Sequence, residues 1–121
     1  LWRGKRFVPA PDKAAPDFYG CLRGRFLAFE AKECRENPWR LHSKYGHQLG
    51  RLQALAAARA ICWFAVEEVR ARRLTLLRIW PDSPRPEVDF LSPLTADMLR
   101  LPLGPEDWYD WLPAVRAAWF I

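Results

Sequence analysis

At 121 residues, half of them hydrophobic and 27% charged, the chain has room for one compact domain with a modest core and none for a second. The 19 lysines and arginines, mostly arginine, outweigh 14 acidic residues and leave a formal net charge of +5, which favours a polyanionic partner such as nucleic acid. No stretch approaches the roughly 20 uninterrupted apolar residues of a membrane helix, and no signal segment opens the chain, so a cytoplasmic protein without a membrane partner is expected. Cys21, Cys34 and Cys62 are odd in number and far apart, which excludes the short pairings of zinc and redox motifs and reads as reduced thiols.

Trp2 to Pro16 mixes Arg3, Lys5, Arg6 and Lys13 with Pro9, Pro11 and Pro16, and is expected to be an extended basic arm, because proline forces its predecessor out of the helical region. Phe18 to Lys32 reads as a β-hairpin: Tyr19, Leu22, Phe26, Leu27 and Phe29 are strand formers, and Arg23-Gly24 supplies a two-residue turn. Glu33 to Leu41 reads as a polar connection. The spacing of Tyr45, Leu49, Leu52 and Ala56 predicts a helix from about Ser43, a good N-cap, to Ala60, with Gly46 and Gly50 weakening its first turns.

Ile61 to Val66 and Leu74 to Trp80 are apolar runs of strand length separated by a charged turn. Pro81, Pro84 and Pro86 then oppose regular structure, Thr95 to Leu101 suggests a short helix, and Pro105 to Phe120 a longer one that Pro113 should kink or split. The long helix sets Trp108, Leu112, Val115 and Trp119 on one face; Trp108, Trp111, Trp119 and Phe120 are either core or a dimer interface. The order of elements gives an α/β layered sheet with helices packed on its faces.

A two-residue turn at Arg23-Gly24 has a chemical consequence. It makes Leu22 face Arg25, and counting back along both strands sets Asp17 opposite Glu30. Like charges there repel unless a cation lies between them. Lys32 projects on the same face, roughly 7 Å along the strand, and the carbonyl of Ala31 is free to act as a further oxygen ligand. Such hard oxygen donors select magnesium or manganese rather than zinc, and the ion polarises a phosphodiester and activates water. The plain alternative is that Glu30 and Lys32 form an ordinary ion pair and Asp17 merely starts a strand.

Pro16-Asp17 followed by Glu30-Ala31-Lys32 resembles the PD-(D/E)XK nuclease pattern, and DFYGCLRGRFLAFEAKE and GHQLGRLQ resemble the corresponding segments of RecU-type Holliday-junction resolvases. The resemblance covers Asp17 to about Val66 and is weak after Trp80. It implies a restriction-endonuclease-like central mixed β-sheet flanked by helices. It further implies Mg2+ or Mn2+ as cofactor, Asp17 and Glu30 as metal ligands, Lys32 as the catalytic lysine and Gln48 as a helix glutamine beside the site. Gln48 reads otherwise as a boundary polar residue.

The implied activity is an endonuclease that resolves four-way DNA junctions by paired nicks, which calls for a homodimer. The arm, with Arg3, Lys5, Arg6 and Lys13, resembles in position the region that such enzymes project into the junction. Arg23 and Arg25 at the hairpin tip, and the helix stripe Lys44, His47 and Arg51, are further candidates for DNA contact; the stripe reads equally as a solvated face. The resemblance also implies an acidic residue on a helix before Asp17, where this sequence offers Asp12 alone. Two other readings stay open: a nuclease of this superfamily acting on duplex or flapped DNA, and a non-catalytic DNA-binding module on the same fold.

Overall fold

A computed structural model describes residues 8–9, 16–102 and 111–120. In chain order these form β1 (Val8–Pro9), β2 (Phe18–Leu22), β3 (Arg25–Cys34), β4 (Trp39–Arg40), a 3-10 turn (Ser43–Tyr45) and α1 (Gly46–Ala57). There follow β5 (Ile61–Glu68), β6 (Arg73–Ile79), β7 (Glu87–Val88), β8 (Met98–Pro102) and α2 (Trp111–Trp119). Six strands make one mixed sheet in the order β1-β2-β3-β5-β6-β8, while β4 and β7 pair as a separate ribbon. No helix among the described residues is long and apolar enough to cross a membrane.

The hairpin β2–β3 has the expected register, with Leu22 facing Arg25. Its two turn residues, Arg23 at φ 53° and Gly24 at φ 76°, both lie in the left-handed region, as a turn that matches the right-handed twist of the strands requires. From β3 the chain crosses through α1 to β5, which runs parallel to β3 with Glu30 beside Phe64 and Lys32 beside Val66. A tight turn then returns β6 antiparallel to β5, with Arg72 at φ 53°.

Strict alternation divides the sheet into two faces. On one, Leu27, Phe29, Trp63, Leu74 and Leu76 pack against Trp111, Val115 and Trp119 of α2. On the other, Ala28, Cys62, Phe64 and Val66 lie under Leu52 of α1 and under Trp39, Val88 and Phe90 around the β4–β7 ribbon.

Several expectations need correction. Thr95 to Leu101 is not a helix: Met98–Pro102 is the strand β8 on the free edge of β6, and period-two alternation sends Leu99 and Leu101 to the α2 face and Met98 to the other. His42, not Ser43, caps the 3-10 turn, its Nδ1 accepting from the Lys44 N–H, and α1 begins only at Gly46. The polar connection after β3 holds β4, and its partner β7 lies in the proline-rich segment expected to be irregular. Pro113 lies within α2 as described, Trp111–Trp119, and the residues just before that stretch lie outside the described ones. Trp111 and Trp119 are buried core residues. Arg3, Lys5, Arg6, Asp12 and Lys13, the helix start at Pro105, and Trp108 lie outside the described residues.

Candidate active site

Alternation along β3 sends Phe29 and Ala31 toward α2 and turns Glu30 and Lys32 to the α1 face. Because Phe18 pairs with Phe29, Asp17 meets Glu30 just beyond the end of β2, as the two-residue turn predicts. The Asp17 N–H donates to Glu30 Oε2 at 3.3 Å, and the Ala31 N–H donates to Asp17 Oδ2 at 3.0 Å. The same count sets Pro16 opposite Ala31. Proline has no N–H to give to a ladder, which suits the Ala31 carbonyl, on the same strand edge as its N–H, to another partner.

Glu30 is 0% exposed. Burial pushes its carboxyl up to about 7; the Arg51 hydrogen bond opposes that rise, and the Asp17 carboxylate adds to it. Arg51, in the second turn of α1, sets its Nη2 2.5 Å from Glu30 Oε1. Each oxygen of Glu30 therefore has a donor: the Arg51 guanidinium on one and the Asp17 N–H on the other.

Lys32 is half-buried, with its Nζ 4.2 Å from the centre of the Tyr45 ring. Lys44 approaches the same ring at 5.0 Å. Tyr45 thus fixes the ammonium by a cation–π contact that sequence reasoning missed, having read this residue only as part of a buried helix face. Gln48 sits one turn before Arg51 on α1, and its carboxamide oxygen is buried with no protein partner. Asp17, Glu30, Ala31, Lys32, Gln48 and Arg51 are in this way gathered around the end of β2 and the first half of α1.

The residues expected to touch DNA divide. Lys44 and His47 are exposed beside Tyr45, but Arg51 leaves the solvent stripe for Glu30, drawn by the buried carboxyl. Arg23 is exposed at the hairpin tip, while Arg25 donates from Nε to the Arg59 carbonyl at 3.0 Å and ties the tip to the end of α1. The tip lies roughly 16 Å along β3 from Glu30.

Does this donor set suit a divalent cation? Among the described residues no cluster of three His, Cys, Asp or Glu side chains exists. The carboxylates of Asp17 and Glu30 do lie together, linked through the Asp17 and Ala31 N–H groups, and both are hard oxygen donors. A guanidinium already stands on Glu30, which shows that a positive charge suits this position. Such donors are of the chemical type that suits a hard divalent cation.

The family model for RecU, Recombination protein U, matches residues 10–80, more than half of the chain. The chain belongs to the RecU family. That is a family of Holliday-junction resolvases, which makes the chain an endonuclease by family. The RecU match takes in the strands β2 to β6 and all the candidate site residues just described, and ends before β8 and α2. Among solved structures, a Holliday junction resolvase, Hjc, from the archaeal hyperthermophile Archaeoglobus fulgidus is similar at 14% identity and a TM-score of 0.45, over 95% of this chain and 84% of that one. No curated protein matches the sequence.

Proposed function

We propose that this protein is a metal-dependent endonuclease that resolves Holliday junctions by paired, symmetric nicks, acting as a homodimer. The observation that carries the reading is the register of β2 on β3, which joins Asp17 to Glu30 and to the Ala31 backbone in a protein of the RecU family.

Asp17, Glu30 and the Ala31 carbonyl would hold the Mg2+ or Mn2+, which when bound polarises the phosphodiester and lowers the pKa of its water. Asp17 holds itself in place by accepting from Ala31 and donating to Glu30, so both carboxylates are oriented before substrate arrives. Lys32, held by the Tyr45 ring on the same face as Glu30, orients the attacking water or offsets the charge that grows on the phosphate. The buried oxygen of Gln48 is free to accept from that water. Lys44 and His47 line the approach and contact backbone phosphates, as do Arg23 and the N-terminal basic residues Arg3, Lys5, Arg6 and Lys13. Two nicks need two sites, and a two-fold dimer suits a two-fold junction.

Cleavage of a labelled four-way junction against a matched linear duplex, with Mg2+ or Mn2+, tests this for wild type, Asp17→Asn and Lys32→Ala. Symmetric nicking of the junction alone, lost in both variants, is expected. Equal cutting of the duplex would make the protein a general nuclease, and tight binding with no cleavage would remove the catalytic reading.

A further inference from the structure

Arg51 stands in an unusual place for a residue of a basic DNA-binding helix. It is 16% exposed, it spans 21 residues of sequence to reach Glu30, and its 2.5 Å contact is the shortest ion pair among the described residues. Glu30 is sealed from water, and its other oxygen takes the longer, 3.3 Å contact from the Asp17 N–H. A divalent cation that uses Glu30 must therefore approach an oxygen already held by a guanidinium or by a backbone N–H. Two cations on one buried carboxylate repel strongly, because little water is present to screen them. The guanidinium is the mobile one of the two donors, carried on a long side chain, whereas the Asp17 N–H is fixed in the backbone.

We infer that Arg51 is a positioning residue exchanged for the metal: it holds Glu30 in ligand orientation while the site is empty, and metal entry releases its guanidinium to a DNA phosphate oxygen. This rests on the metal-site reading above. The released group has a destination, since Lys44, in the 3-10 turn that leads into α1, and His47, in its first turn, are exposed and already form the basic edge of the site. A guanidinium fork meets two phosphate oxygens at once, so the side chain exchanges one bidentate-capable anion for another. Metal and DNA then help each other bind: the metal frees Arg51 for phosphate, and a phosphate that captures Arg51 uncovers Glu30. Such coupling is reciprocal, and coupling factors of about 5 to 150 are typical.

Mn2+ binding, followed by the loss of the free-ion EPR signal, tests the exchange with the full chain in a Lys32→Ala background that prevents cleavage. Each protein is titrated with and without a synthetic four-way junction. Removing the competitor by Arg51→Gln is expected to tighten Mn2+ binding without DNA by roughly tenfold and to abolish the further tightening that the junction gives. Arg51→Lys keeps the competing charge without the fork, so it should bind Mn2+ like the parent and gain less from the junction. Thermal melts show that each variant is folded. Unchanged or weaker Mn2+ binding in Arg51→Gln overturns the exchange and leaves the metal site standing. Mn2+ binding that survives Glu30→Gln undiminished overturns the metal site itself, and the exchange with it.

Discussion

The two faces of one strand meet opposite environments. Toward α2, Phe29 stacks on Trp63 with centroids 5.0 Å apart, and Trp63 meets Trp111 and Trp119 at 5.7 and 5.8 Å. This face is a dry aromatic layer whose contacts gain from area and ring geometry. Toward α1, its neighbours Glu30 and Lys32 are a buried carboxyl and a half-buried ammonium, held by Arg51 and by the Tyr45 ring. Desolvating them costs folding energy, and the ion pair and hydrogen bonds offset only part of that cost. The aromatic face supplies the stability that lets a charged site persist a single residue away along the same strand.

That contrast is broken most directly by swapping which property each variant loses. Glu30→Gln is expected to lower junction cleavage by roughly a thousandfold, on the scale of removing one electrostatic contribution from an active site, while leaving the denaturation midpoint at pH 8 equal or higher. Trp63→Ala should do the reverse. Trp63 is 1% exposed at the centre of the ring cluster, so its truncation costs about 3 to 5 kcal/mol of stability, read from urea unfolding. A Glu30→Gln protein that is much less stable, or a Trp63→Ala protein that is as stable as wild type, would show that the division of labour between the faces is wrong.

The site half of the molecule was readable in the sequence because its signals are local. Arg23-Gly24 between alternating strands fixes a hairpin, and the hairpin's register alone brings Asp17 to Glu30. The Tyr45–Leu49–Leu52–Ala56 spacing likewise marks α1 to within a few residues, although nothing local marks His42 rather than Ser43 as the cap. What was not readable depends on partners distant in the chain. Met98–Pro102 becomes a strand because β6 offers an unpaired edge, and a segment with leucines at 94, 99 and 101 cannot announce that by itself. The ribbon of Trp39–Arg40 with Glu87–Val88 joins residues almost fifty apart. Arg51 looked like one more exposed cation of a helix stripe, and only the fold reveals the buried carboxyl that captures it.

A smaller effect follows from the Glu30 carboxyl, pushed up from 4.5 to about 7. Below about pH 4.5 it is protonated whether the chain is folded or not, and its burial is then least costly. Between there and pH 7 the unfolded chain ionises while the folded site keeps its proton, so folding stability falls as pH rises and levels off above about 7. The shift corresponds to about 3 kcal/mol. Urea midpoints of the metal-free protein from pH 4.5 to 8, compared with Glu30→Gln, isolate this contribution from other carboxylates. The variant should gain on wild type across that window; a constant difference would mean that Arg51 keeps Glu30 ionised throughout.

The smallest expected effect tests the turn on which both faces depend. Gly24 has φ 76°, and a Cβ there meets nothing within 4 Å, so Gly24→Ala introduces no clash and only the backbone preference of an L-residue against the left-handed region. The cost should be about 1 kcal/mol. Cleavage of a junction by the folded variant should stay close to wild type, because the eight-residue parallel pairing of β3 with β5 also holds the register of β3. A slip of one residue in β2 against β3 would turn Asp17 from Glu30 and send Tyr19 to the aromatic face. Loss of cleavage out of proportion to the stability change would therefore locate the control of register in the turn rather than in the core.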